Sequence, residues 1–467
     1  MRKISLLFTL LLAAATTQAQ LRLAALFDDH MVLQQQSPTP IWGWSYSTQD
    51  ITIKVSWDTT TVKVRTDNTA FWGTTLFTPV AGGPHTITVK AGNETITLQD
   101  VMTGEVWLCA GQSNMEWSMH ASLDGKADID KVNDPNIRLF DVPNSAAMTP
   151  QVRGEGQWKV ANPENVKSFS AVAYYFGKKL NTSLNVPIGL INASWGGTPA
   201  ETWTPRESIE GNPKLLEASK KQVDDKPWCP SSPAVVYNSM INPMLPFRIA
   251  GALWYQGEAN TAAPSTYKLL METMITDWRK HFLHDFPFYY VQIAPFSGYG
   301  EVEKGTLVRE QEVKMLDIAK TGMVVVSDLV EDVTDIHPKY KKPVGERLAN
   351  LALSDTYGKK GISYLNPLYK EMKVEKAKIR LSFNNIPTGL MAKGGAPTEF
   401  TIAGEDKVFY PAKAVIDGNT VVVSAKEVKK PVAVRFGWKN GSIPNLFSKE
   451  GLPVSSFRTD DWTIEVK

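Results

Sequence analysis

Residues 104–118 read GEVWLCAGQSNMEWS. An apolar run from Val106 to Ala110 stops at Gly111, and the small polar cluster Gln112-Ser113-Asn114 follows. A short continuous apolar run ended by glycine suits a strand covered on both faces. Ser113 then has two readings. It is a nucleophile presented where a strand ends, or it is only the cap of the next helix, since Ser113-Asn114-Met115-Glu116 fits the S-x-x-E capping box. The stretch departs from the G-x-S-x-G elbow, because Met115 stands where the second glycine would be. A cap does not exclude catalysis, since a helix start also offers free N–H groups and the positive end of the dipole.

Four more apolar runs extend the pattern: IGLINA (188–193), IAGALWYQ (249–256), FYYVQIA (288–294) and GMVVVSD (322–328). Helical spacing lies between them, over 169–181, 266–282, 307–320 and 343–353. Apolar strands alternating with helices predict an α/β domain over residues 101–356, with a mostly parallel sheet covered on both faces. On either side the pattern changes. ITIKVSW (51–57), TVKVRTD (61–67) and HTITVK (85–90) alternate apolar and polar residues, which predicts an N-terminal β domain over 20–100. KIRLSF (378–383), TEFTIAG (398–404), NTVVVSA (419–425) and VAVRFGW (432–438) predict a C-terminal β domain over 357–467. A chain of 467 residues is long enough for about two to four domains.

Residues 1–19 read as a secretory signal: Arg2 and Lys3, an apolar stretch from Ile4 to Ala15, and small residues before Gln20. The apolar stretch is too short to span a bilayer, and no later segment has about 18 consecutive apolar residues. The expectation is an exported protein, periplasmic or secreted, without a transmembrane segment. The chain carries 50 Lys+Arg and 48 Asp+Glu, and removing the two basic residues of the signal leaves 48 against 48. Zero formal charge argues against nucleic acid or an anionic membrane as the main partner. Two cysteines, Cys109 and Cys229, are too few for a zinc site built mainly from thiolates. Cys109 reads as a buried small hydrophobe, and an exported protein can also pair the two.

Open α/β sheets place their sites at the carboxyl ends of strands. GQSNM follows the first strand, SWGGTPAETW (194–203) the second, GEAN (257–260) the third and LVEDVTDIHP (329–338) the last. Serine hydrolysis needs a nucleophile, a base, an acid that orients the base, and donors for the oxyanion. Of six histidines, His281 and His284 end a long helix and suit its dipole, while His120 follows Ser113 by seven residues. His337 stands in Asp335-Ile336-His337-Pro338, and Pro338 disfavours a helical conformation for it. In an extended chain Asp335 and His337 project to one face, so the carboxylate can meet the imidazole. The other reading is a surface Asp-His turn before the helix. Gly196 and Gly197 offer bare backbone N–H groups, or form a plain turn. Asn260 offers an amide, or caps a helix. Glu258 is a second acid for His337, a group that holds the site by hydrogen bonds, or a charge paired for structure.

These strings together resemble the sialate O-acetylesterase family, carbohydrate esterases of SGNH type. VWLCAGQSNMEWSM, INASWGGTPAETW, ALWYQGEAN and DIHPKYKKPVGERLANLAL carry the likeness, with FTIAGEDKVFYPAKAVI (400–416) and NLFSKEGLPVSSFRTDDW (445–462) near the end. The resemblance implies an SGNH-type central parallel sheet flanked by helices, with β-sandwich-like domains at both ends. It implies that Ser113 is the nucleophile, His337 the base and Asp335 the group that orients it. The Ser113 N–H, a backbone N–H of Gly196 or Gly197 and the Asn260 side chain would form the oxyanion hole. The usual position of the acid, three before the histidine, is Thr334 here, so Glu258 stands as a rival or helper to Asp335.

The expected function is removal of O-acetyl groups from carbohydrates, sialic acids first and acetylated xylan or another glycan as the alternative. This chemistry needs no metal or cofactor. A sialic acid carboxylate would favour a basic group in the pocket, for which Arg309 and Arg347 are candidates. Trp117, Trp195, Trp203 and Trp254 lie beside the motifs, to stack on sugars or to pack the core. Two rivals remain: a glycosidase using Glu258 and Asp335 as paired carboxylates, and a non-catalytic glycan-binding protein.

Overall fold

The structure is a computed structural model that describes residues 20–222, 226–300 and 302–465; the segment read as a signal lies outside them. Seven strands build the sheet beneath the motifs: β1 (Glu94–Gly111), β2 (Asp134–Asp141), β3 (Trp158–Ala161), β4 (Ile188–Ser194), β5 (Gly251–Tyr255), β6 (Phe288–Val291) and β7 (Thr321–Val324). Their order is β3-β2-β4-β1-β5-β6-β7. All neighbouring pairs are parallel except β3 with β2, an antiparallel edge.

Period-two alternation decides what each strand buries on which side. Val106, Leu108 and Ala110 of β1 face one core with Trp254 of β5 and Tyr290 of β6. Trp107 and Cys109 face the other with Tyr255 and Tyr289. Helices cover both faces, as a parallel sheet requires. On the first side lies Tyr267–His281, through Leu270, Met274 and Trp278. On the second lie Ala171–Leu184 and Lys341–Asp355, through Phe176, Leu348 and Leu351. Cys109 sits at the centre of this sheet, and no disulfide joins it to Cys229.

The expected boundary at residue 101 falls inside β1, an 18-residue strand. The first half of β1 pairs with Gly82–Ala91 and Val32–Gln34, and the second half with β4 and β5. Ile51, Ile53 and Trp72 of the N-terminal strands belong to the same core as Trp254 and Trp278. The N-terminal strands therefore extend the central sheet and share its core, alongside a three-stranded antiparallel sheet of their own. The C-terminal region differs: its two four-stranded sheets and one two-stranded sheet enclose a separate core around Leu381, Ile402, Val423 and Phe436. Among the described residues no helix is long and apolar enough to cross a membrane.

Candidate active site

β1 ends at Gly111 because only a glycine fits there. Its φ is +140°, and a Cβ would stand 2.3 Å from the carbonyl oxygen of Tyr255 on the adjacent strand. The chain turns at Gln112 into α1 (Ser113–Glu116). Gln112 is the N-cap, with no side-chain capping bond, and its carbonyl accepts the N–H groups of Met115 and Glu116. Ser113 is thus the first helical residue and not the cap. The capping box does not form, because Glu116 turns away and accepts from the Gly196 N–H at 2.7 Å and from Asn144 Nδ2 at 3.0 Å.

Freed from capping, Ser113 Oγ lies 2.9 Å from His337 Nε2, across 224 residues of sequence. Of the six histidines only His337 meets Ser113. His120 is exposed, His281 bonds the Asp277 carbonyl, and His284 is pushed down to about 4 by burial and by Arg248 and Lys320.

The loop that carries His337 is a turn rather than the extended chain expected from Asp-x-His. The Asp335 N–H donates to the Asp332 carbonyl, and Asp335 Oδ1 accepts the His337 N–H at 2.9 Å. The same oxygen stands 3.8 Å from Nδ1, an ion-pair distance and not a hydrogen bond. Asp335 thus holds the backbone of His337 more closely than its ring. The indole of Trp117 stacks on the imidazole, 5.0 Å between centroids and 22° between planes. Burial, and then the charge of Lys341, hold the imidazole below its ordinary value, with Asp335 opposing. A lowered value keeps the ring neutral, and able to accept a proton, into more acidic solution.

Three residues stand behind the pair: Asn114 and Lys341, which the sequence did not single out, and Glu258, which takes the hydrogen-bonding reading and not that of a second acid. Asn114 is fully buried and bonds in three directions. Its Nδ2 donates to Glu258 Oε1 at 2.6 Å and to the Ile336 carbonyl at 3.2 Å, and its Oδ1 accepts from Lys341 Nζ at 2.5 Å. Glu258 therefore does not reach His337 as a second acid; it grips Asn114, which grips the carbonyl just before His337. Lys341 is 1% exposed and lies over the rings of Trp117 and Tyr255, at 5.8 and 5.3 Å. Burial pushes the Lys341 ammonium down to about 7, with Glu258 and Asp335 opposing, and burial raises the Glu258 carboxyl. Asn114 stands in the quoted motif beside Ser113, whereas Lys341 is one of three lysines in KYKKP (339–343), and nothing in that string marks it for burial.

The expected oxyanion donors divide. The Ser113 N–H belongs to the first helical turn, whose N–H groups have no intrahelical acceptor. Gly196 is the glycine beside the nucleophile: a Cβ on it would meet Ser113 Cβ at 3.3 Å and Glu116 Oε2 at 2.9 Å. Gly197, at φ +81°, faces Cys229 Sγ instead. The Gly196 N–H is held by Glu116, so it serves an oxyanion only when Glu116 lets go. Asn260 is a correction. Its buried side chain accepts from the Ala200 N–H and Gln256 Nε2 and donates to Glu201 Oε2, leaving it committed to the core. Burial in turn raises Glu201 to about 7, with Asn260 opposing.

The two arginines proposed to bind a carboxylate are also committed elsewhere. Arg309 is buried and donates to Thr306 and to the carbonyls of Lys439 and Asn440, which ties the α/β region to the C-terminal one. Arg347 makes a two-pronged ion pair with Asp328. Trp203 and Trp254 are core residues, whereas Trp117 and Trp195 are only half-buried. Among the described residues no group of three or more His, Cys, Asp or Glu is placed to hold a metal ion.

A family profile described as carbohydrate esterase, sialic acid-specific acetylesterase, matches residues 103–354. The sialate O-acetylesterase of Rattus norvegicus is 28% identical over 437 residues, covering 80% of this chain and 81% of the relative. That of Homo sapiens is 29% identical over 395 residues, covering 76% and 74%. The crystal structure of a carbohydrate acetylesterase from Xanthomonas citri superposes with a TM-score of 0.87 at 37% identity, covering 95% of this chain and all of that one.

Proposed function

The chain belongs to the carbohydrate esterase family of sialic acid-specific acetylesterases, and on that premise we propose that Ser113 and His337 carry its hydrolysis of O-acetylated sugars. The enzyme is a carboxylic ester hydrolase. The observation that carries the residue assignment is the 2.9 Å contact between Ser113 Oγ and His337 Nε2 at the carboxyl edge of the sheet.

Ser113 Oγ attacks the acetyl carbonyl while His337 Nε2 takes its proton, a step worth about 10²–10⁴ in rate for a well-placed base. The oxyanion is met by the Ser113 N–H and, once Glu116 releases it, the Gly196 N–H. A donor of this kind contributes ~3 kcal/mol to the transition state. The bond from acetyl carbon to sugar oxygen then breaks, and the imidazolium returns the proton to that oxygen. Water, deprotonated by the same imidazole, attacks the acetyl-serine. Acetate leaves and Ser113 recovers its proton.

Sialic acid is the sugar that the family description and the mammalian relatives' names support. An uncharged acetylated glycan is the second reading, favoured by the commitment of Arg309 and Arg347 away from the site. The glycosidase reading is weakened by Glu258, which is 5% exposed and held behind Asn114. Export to the periplasm or beyond rests on the sequence of residues 1–19, and fractionation of expressing cells tests it.

Acetate release from an O-acetylated sugar or a generic acetyl ester, comparing wild type with Ser113→Ala, decides the mechanism. A loss of at least ~10³-fold is expected. Full activity in the variant would refute the serine mechanism.

A further inference from the structure

We propose that a cleft on the N-terminal three-stranded sheet, beside Arg153, is a second sugar-binding site that takes an acidic sugar by its carboxylate. Neither Ser113 nor His337 lines it, and it does not depend on the assignment of either to catalysis.

The strands Pro38–Trp44 and Phe71–Phe77 pair antiparallel, with Trp44 opposite Phe71. Alternation sends Ile41 and Trp72 inward, each 1% exposed, and leaves Trp44, Phe71, Gly73 and Thr75 on the outer face. That face, with Val152, Arg153, Pro243 and Leu283, lines a cleft of about 970 Å³. A largely apolar cleft of this size with a few polar groups suits a small ligand. Phe71, Val152 and Leu283 are all exposed there, and apolar side chains gathered in one concave place mark a binding groove.

Arg153 decides which ligand fits. Among the described residues it is the one charged side chain of the lining, and it makes no ion pair. Its guanidinium lies over the Trp44 ring, 5.2 Å from the centroid. Stacking on the indole holds the fork without using its N–H donors, which stay free for a carboxylate. A group already held in place also loses less freedom on binding. The acid closest in sequence to the Phe71 strand, Asp67, is turned into its own loop, where it accepts the N–H groups of Thr69 and Phe71. An acidic sugar matches the cleft on both counts: its carboxylate meets Arg153 and its C–H face packs on the Phe71 ring. A purely apolar partner would instead bury the guanidinium without a counter-charge, at a cost. Arg309 and Arg347 are committed elsewhere, so Arg153 supplies the free guanidinium that they do not. Asn144, which bonds Glu116 of α1, precedes Arg153 by nine residues, so their Cα atoms stand no more than ~32 Å apart. One extended glycan can then occupy both places, and the second hold raises its local concentration at Ser113.

Calorimetric titration of the full chain tests the site, with sialyllactose and a galacturonic acid trimer as acidic probes and lactose as the uncharged control. None of them carries an acetyl ester, so none is consumed. At least one acidic probe should bind about tenfold or more tighter than lactose, and the gap should shrink as salt screens the charges. Which acid binds tighter tells a sialic from a uronic sugar. Arg153→Gln should bring the acidic probe to the level of lactose, and Phe71→Ala should weaken it by about tenfold. Both side chains are exposed, and both variants should release acetate from a generic acetyl ester at the wild-type rate. Equal binding of acidic and neutral probes, or no binding at all, would overturn the proposal. Wild-type affinity in Arg153→Gln would do the same, because the probe would then sit elsewhere. So would self-association in gel filtration that Phe71→Ala abolishes, since the cleft would be a contact between copies. Failure of the esterase reading looks different: no acetate from the generic ester, with the binding of the probes unchanged.

Discussion

Lys341→Met tests the buried charge behind the catalytic pair. The ammonium lies at the first position of the helix Lys341–Asp355, 1% exposed, and burial lowers it from an ordinary 10.5 to about 7. Between those two values the unfolded chain binds a proton that the folded chain does not, so stability must rise with pH. Below about 7 both states are protonated and the full cost of burying the charge is present; above 10.5 both are neutral and the cost is gone. At ~1.4 kcal/mol per pH unit the whole effect is about 5 kcal/mol, and the part recovered between about pH 7 and about pH 9 is roughly 2 kcal/mol. Methionine has nearly the length of lysine and no charge, so the variant should lack this gain. The carboxyl of Glu258, already raised by burial, loses a cation that stabilised its charged form. Its value rises further in the variant, and a raised carboxylic acid loses stability as pH increases, which widens the difference in the same direction. Urea denaturation of both proteins at the two pH values measures it. Wild type should gain at least about 2 kcal/mol relative to Lys341→Met. Equal changes in the two proteins would refute the account of a buried, discharged lysine.

Two further variants separate the site from its scaffold. Asp335→Asn should lower kcat/KM by about tenfold or less, because the amide oxygen can still accept the His337 N–H and the lost ion pair is long and half exposed; a fall near ~10⁴-fold would instead show a true Nδ1 hydrogen bond during catalysis. Gly111→Ala should cost ~3 kcal/mol or more in a urea unfolding series, since its Cβ would stand 2.3 Å from the Tyr255 oxygen. Gly418→Ala, at φ +60° with nothing within 4 Å, should cost only roughly 1–2 kcal/mol.

The strands β1, β4, β5, β6 and β7 were legible because a strand covered on both faces leaves an unbroken apolar run. The edge strand β3 and its neighbour β2 were not. DPNIRLFD of β2 contains Pro135 and an exposed arm, and WKVA of β3 is only four residues long. The boundary at residue 101 failed for a related reason: composition changes along β1, but backbone pairing runs straight through it. The order of strand ends singled out Ser113 and His337, and the family resemblance paired them. Their supports were not legible, because each depends on burial or on a turn. Asp335 was placed by the two-residue alternation of extended chain, and the chain at that point closes instead through Asp335 Oδ1 and the His337 N–H. Asn260 was read as a donor from its position after a strand, and the carboxylate of Glu201, which claims its amide, lies 59 residues away. Lys341 left no trace, because the helical pattern was read from residue 343 and the helix starts at Lys341. A lysine at the first position of a helix sits against the positive end of the dipole, an unfavourable place for a surface charge. Such a residue needs a partner that the local sequence does not show, and here that partner is Asn114, one residue after the nucleophile. The helix that follows the histidine loop is thereby pinned to the helix that presents the serine, so the 2.9 Å contact of Ser113 with His337 is held from behind by a buried polar bond and not by their own pairing alone.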